Sequence, residues 1–110
     1  MNLQINQDQI NETYELKLTG EVDAYTAPKL KEVMLPLTDK EGNIVIVDLS
    51  GIEYMDSTGL GIFVGALKSS KANNSSLKLR GMTERVKRIF EITGLTEVMD
   101  IESGVKGEAL

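Results

Sequence analysis

The chain contains no cysteine and no histidine. Without cysteine it has no thiol nucleophile, disulfide or thiolate metal site. Without histidine, a Ser-His-Asp triad and histidine-ligated zinc are excluded as well. A serine in this chain has no imidazole to activate it, and no lysine stands beside the serine singled out below to serve as a base instead. Tryptophan is absent and proline occurs twice. Positive charge is in the minority: 12 Lys and Arg against 17 Asp and Glu give a formal net charge of −5 and a pI of about 4.7. Such a surface is poorly suited to gripping nucleic acid or an anionic membrane. No apolar run approaches the length of a membrane span, and Met1-Asn2-Leu3-Gln4 lacks the basic and then apolar blocks of a signal peptide. Together these absences predict a cytoplasmic protein that is not an enzyme, with no cofactor or metal and no direct contact with nucleic acid or membrane.

What is present describes an ordinary folded domain. The 110 residues, 41% hydrophobic and 26% charged, suit one domain spanning 1–110 with a real core. Leu3 and Ile5 alternate with polar residues, Asn6 to Asn11 reads as a polar turn, and Tyr14, Leu16 and Leu18 alternate again. This predicts an N-terminal hairpin closed by Gly20. Thr26 is a candidate cap for a first helix with Pro28 in its opening turn. Ala27, Leu30, Val33, Met34 and Leu37 mark its inner face, and Pro36 is expected to bend or end it near Leu35. Tyr14 and Tyr25 are expected in the core or flanking a helix.

Ile44-Val45-Ile46-Val47-Asp48-Leu49 is the most apolar run in the chain and predicts a central strand buried on both faces. A short loop then leads into a helix marked by Leu60, Phe63, Val64 and Leu67, with Gly61 and Gly65 leaving a bare stripe that either serves close packing inside the domain, the reading favoured here, or admits a partner's side chain. Leu77 to Gly81 reads as a short strand. Thr83 caps a last helix with Val86, Ile89 and Phe90 inward and Arg85, Lys87 and Arg88 outward as a solvated face, ended by Gly94. Val98 to Ile101 is a final edge strand, and 104–110 is expected to fray. Later strands alternate with helices, so the expected class is α/β: a mixed sheet with an antiparallel N-terminal hairpin and helices packed on it.

The stretch with chemical character is Asp56-Ser57-Thr58-Gly59-Leu60-Gly61, at the junction of the central strand and its helix. The first N–H groups of a helix lack internal partners and sit at the positive end of the macrodipole. Ser57 or Thr58 can cap there, or the same N–H groups can hold a phosphate. Two glycines weaken the helix by about 1 kcal/mol each relative to alanine, so helix stability alone does not explain them. Asp56 has a capping reading as well.

This turn, with Gly20-Glu21-Val22-Asp23 after the second strand and Asp48-Leu49-Ser50-Gly51 after the central one, resembles the STAS domains of bacterial anti-sigma factor antagonists over nearly the whole chain. The resemblance implies partner switching. An unphosphorylated antagonist binds an anti-sigma factor that is also a serine kinase, which releases the sigma factor. ATP-dependent phosphorylation of one serine dissolves the complex, and a metal-dependent PP2C-type phosphatase restores it. The phosphorylated serine corresponds to Ser57, and the switch surface to Glu21, Asp23, Asp56, Thr58, Gly59, Leu60 and Gly61. Two alternatives stand beside it. An acyl carrier protein would use Asp56-Ser57 to attach phosphopantetheine on a helical bundle, and a STAS scaffold subunit of a stress-signalling complex would keep the fold without the same switch. A nucleotide hydrolase is disfavoured because the turn lacks the Gly-Lys-Ser/Thr ending of a P-loop.

Overall fold

The computed structural model of the chain describes residues 2–97 and 100–102. Its elements run β1 (Leu3–Ile10), β2 (Thr13–Val22), α1 (Ala27–Thr38), β3 (Ile44–Met55), α2 (Ser57–Ala72), β4 (Ser76–Arg80), α3 (Glu84–Ile92), a 3-10 turn (Leu95–Glu97) and β5 (Asp100–Glu102). The five strands form one sheet in the order β1-β2-β3-β4-β5. β1 and β2 are antiparallel and every later neighbour is parallel. The expected mixed sheet with an N-terminal hairpin is what forms. The helical bundle required by a carrier protein is excluded.

Each parallel crossover advances the sheet in the same direction. Right-handed connections made in one direction place every helix on one face. Leu16, Leu18, Val45, Val47, Leu77 and Leu79 accordingly share a core with Leu30, Met34, Phe63, Val86 and Phe90. Phe63 and Phe90 meet edge to face with ring centroids 6.1 Å apart. This corrects the expectation of a doubly buried β3. Val45, Val47 and Leu49 are buried, but Ile44 is exposed and Ile46 half-buried on the bare face. There Ile46 neighbours Glu15 and Lys78, and Glu15 pairs with Arg80. β3 also carries two extra residues relative to β2, because the register slips between Lys17 and Thr19 and again between Gly20 and Glu21. Gly51 fills the first slip, where a Cβ would stand 2.8 Å from the Leu18 carbonyl oxygen.

Other expectations change at element ends. β1 does not stop at Asn6 but runs to Ile10, and only Asn11 and Glu12 turn, with Asn11 at φ +55. An edge strand exposed on both sides can be polar and still be held by its ladder. α1 continues through Pro36 to Thr38, since a proline this near the C-terminus forfeits one backbone bond and leaves the next turn intact. Thr83 and Gly94 act as expected: the Thr83 hydroxyl accepts from Val86 N, and Gly94 sits at φ +78. The final strand is Asp100–Glu102; positions 98–99 and the tail 104–110 lie outside the described residues. No described helix is long and apolar enough to cross a membrane.

Candidate functional site

β2, β3 and α2 converge where the parallel strands end. No loop separates β3 from α2, because Met55 is the last strand residue and Asp56 alone makes the turn. Asp56 is extended (φ −108, ψ −174) and is the N-cap of α2, its Oδ1 accepting from Gly59 N at 3.0 Å. Its own N–H donates to the Val22 carbonyl at 3.2 Å, which ties the start of α2 to the end of β2. Asp56 thus takes the capping role that the sequence also allowed to Ser57 or Thr58. Those two become the first residues of the helix, both exposed. Among the described residues no hydrogen bond engages either hydroxyl.

The two glycines of the turn do different work. Gly59 is buried, and a Cβ there would stand 2.6 Å from Val22 Cγ1 and 2.7 Å from the Val22 oxygen, so only glycine lets α2 approach β2 this closely. Gly61 and Gly65 are exposed with nothing within 4 Å of an added Cβ, which overturns their assignment to internal packing. Leu60 belongs to the core cluster. Of the predicted switch residues, then, Gly59 and Leu60 shape the site from beneath, while Ser57, Thr58 and Gly61 face outward.

Asp23 is held by its own turn. It is 6% exposed, and its Oδ1 accepts from Tyr25 N (2.9 Å) and Thr26 N (3.0 Å), with the Thr26 hydroxyl 3.2 Å away. Burial pushes this carboxyl up, but the hydrogen bonds from Thr26 and Tyr25 outweigh it and hold the group below the usual aspartate value. Thr26 occupies the cap position of α1 without capping by its side chain. Its hydroxyl instead turns back to accept from Asp23 N (2.9 Å) and donate to the Glu21 carbonyl (2.8 Å). The result is a rigid corner that fixes the direction of the 23–26 turn.

That corner and the end of β3 enclose a concavity of about 320 Å³ lined by Glu21, Asp23, Ala24, Tyr25, Tyr54 and Asp56. The structure therefore brings Asp23 and Asp56 to one cavity, with Ser57 next along the chain. It adds two residues the sequence reading passed over. Tyr25 flanks α1 but is 82% exposed, so it is not a core residue, and Tyr54 is 46% exposed. Their signal was position: each tyrosine stands within two residues of an acid in the motif. The rim is negative, since Glu21, Asp23 and Asp56 line it and exposed Glu53 stands on the strand leading to it.

The STAS domain family profile matches residues 4–107. The chain belongs to the STAS family. An anti-sigma-B factor antagonist of Staphylococcus epidermidis is 44% identical over 108 residues, covering 98% of this chain and all of that one. Two solved structures share this STAS fold at low sequence identity. The anti-sigma factor antagonist SpoIIAA in its unphosphorylated form matches with a TM-score of 0.70 at 16% identity over 96% of this chain and 94% of that one. The Bacillus cell fate determinant SpoIIAA in its phosphorylated form matches with a TM-score of 0.71 at 18% identity over 92% and 93%.

Proposed function

We propose that this STAS domain is a cytoplasmic anti-sigma factor antagonist whose binding is switched at Ser57. Unphosphorylated, it binds an anti-sigma factor that is also a serine kinase, and the sigma factor is released. The kinase transfers the γ-phosphoryl group of ATP to the Ser57 oxygen, the hydroxyl proton leaves, and the complex parts. A PP2C-type phosphatase hydrolyses the ester and restores the binding form. The protein itself performs no catalysis. The name of the Staphylococcus epidermidis relative supports the antagonist role and points to an anti-sigma-B factor as the partner.

One observation carries the reading: the Ser57 hydroxyl is exposed at the first position of α2 while Asp56 does the capping. A serine engaged as the cap would have to abandon the helix to be modified. This one does not. Phosphorylation adds about −1.5 to −2 charge at neutral pH. The positive end of α2 tolerates that charge, so the scaffold is retained. Both forms of SpoIIAA have the same fold, which fits that expectation. The new charge falls next to Asp56, which shares its cavity with Glu21 and Asp23, and a partner surface matched to an uncharged hydroxyl there loses about 1.4 kcal/mol for each tenfold drop in affinity.

The test is incubation with candidate anti-sigma kinases and ATP, with the modified residue mapped by mass spectrometry. Ser57 is expected to carry the phosphate, with Thr58 unmodified. Ser57→Ala is expected to keep kinase binding and Ser57→Asp to lose it. Equal binding by both variants would show that charge at this position is not the switch. An NMR spectrum of the phosphorylated protein with a wholly rearranged backbone would contradict the retained scaffold.

A further inference from the structure

β1 forms one edge of the sheet, and among the described residues nothing pairs with its outer side. Its register with β2 is unbroken from Leu3↔Gly20 to Ile10↔Thr13. Glu21 N donates to the Asn2 carbonyl at 2.8 Å, which makes Asn2 and Glu21 a hydrogen-bonded pair. Alternation along an antiparallel ladder then turns the backbone groups of Leu3, Ile5, Gln7 and Gln9 outward. One of these is already occupied: Lys29, reaching over from α1, donates to the Leu3 carbonyl at 2.9 Å. The open stretch is therefore Ile5 to Gln9.

Exposed edges are usually protected by lysine, proline, a bulge or brevity. β1 reads LQINQDQI, eight residues with Asp8 as its single charge, and it has none of these devices. The edge formed by β5 is three residues long.

We infer that the β1 edge pairs with the β1 edge of a second copy of this chain, antiparallel about a two-fold axis at Gln7. In that register Gln7 faces Gln7 of the other copy, and Ile5 faces Gln9. Each such pair exchanges two backbone hydrogen bonds. A two-fold contact requires a surface complementary to itself. β1 meets that requirement, because Asp8 falls opposite Asn6 rather than another carboxylate, and Ile10, 75% exposed, falls opposite Gln4. The register is bounded on both sides. A slip one way sets the second copy against the Leu3 carbonyl that Lys29 holds, and a slip the other way runs into the Asn11-Glu12 turn. A single strand pair buries less than the roughly 1,000 Å² of a stable interface, so the dimer is weak and concentration-dependent. The residues lining the cavity beside Ser57 lie on the ends of β2 and β3 and in the turns that follow them, so pairing at β1 leaves that site open.

The test is sedimentation velocity from about 10 μM to about 1 mM at physiological salt, where the Debye length of about 8 Å limits repulsion between two acidic copies. The average mass is expected to rise across this range. Hydrogen exchange of the Ile5, Gln7 and Gln9 amides should slow in step with it, while the Gln4, Asn6 and Asp8 amides, already bonded to β2, exchange slowly throughout. Gln7→Pro deletes the central outward N–H without touching a bond to β2 and should weaken association roughly tenfold or more. Gln7→Lys sets two ammonium groups face to face and should weaken it roughly fivefold. Circular dichroism checks that both variants fold, and if Gln7→Pro does not, the exposed Gln7→Lys carries the test. A protein that stays monomeric throughout, or a dimer undiminished in the folded variants, overturns the inference.

Discussion

The two ends of the parallel strands handle polar groups in opposite ways. At the end where β3 and β4 begin, side chains are satisfied internally. Asn43 is buried and donates to the Leu37 carbonyl at 2.9 Å, and the Ser75 hydroxyl donates to the Thr38 carbonyl at 2.7 Å. Thr38 is also buried and donates to the Ser69 hydroxyl, which donates to Asp39, so the C-terminal ends of α1 and α2 are stitched together. At the end where β2 and β3 finish, exposed Tyr25 and Tyr54 line a cavity, and Ser57 and Thr58 stand exposed next to its Asp56 along the chain. What is bonded there, the carboxylates of Asp23 and Asp56, secures backbone. Side-chain cohesion is concentrated at one end, and the proposed switch lies at the other.

Substitutions that cross this division sharpen it. The largest effect is expected at the join beneath the site: Gly59→Ala drives a methyl group into Val22 and should cost about 2–3 kcal/mol in urea unfolding, by overpacking. At the opposite end, Asn43→Ala strands the Leu37 carbonyl and should cost about 1–3 kcal/mol with partner binding unchanged. Asp23 offers a pH signature. Its folded value is depressed, so its contribution is fully present above the unfolded pKa of about 3.9 and is lost as pH falls through the lower folded value. The gap in urea midpoint between wild type and Asp23→Ala should therefore be constant near neutrality and close below about pH 4. Gly61→Ala should do the reverse of Gly59→Ala, raising stability by up to about 1 kcal/mol because its added methyl meets open space. If that variant also binds the anti-sigma factor less well, the outward face of α2 belongs to the interface. Ser57→Asp should be smallest, changing thermal stability by less than about 1 kcal/mol while abolishing partner binding. A large loss of stability there would erase the contrast between the ends.

Much of this arrangement was legible in the sequence. The order of strands and helices followed from periodicity, and the placement of Ser57 at a strand-to-helix junction followed from an apolar run meeting a Ser-Thr-Gly turn. What escaped reading had physical causes. A β-branched run carries no mark of how many faces are covered, and Ile44 and Ile46 lie on the bare side because every crossover winds the same way. Gly59 and Gly61 are identical in one dimension, and only the position of Val22 tells them apart. Thr26 looked like a cap because capping chemistry is local, yet its hydroxyl was taken by Glu21 and Asp23 behind it. Asp23 and Asp56 meet across 32 intervening positions because β2 and β3 are paired neighbours, which a strand pattern alone does not reveal.

The slipped register of β3 makes the site a matter of counting. Ile52 and Met55 turn inward while Glu53 and Tyr54 turn outward only because the strand carries its two surplus residues. Excising one of them, Ser50 for instance, would leave the motif's letters untouched and yet rotate it half a turn, sending the tyrosine toward the interior and the methionine toward water. Natural length variation in this strand should for that reason be scarcer than variation in its spelling.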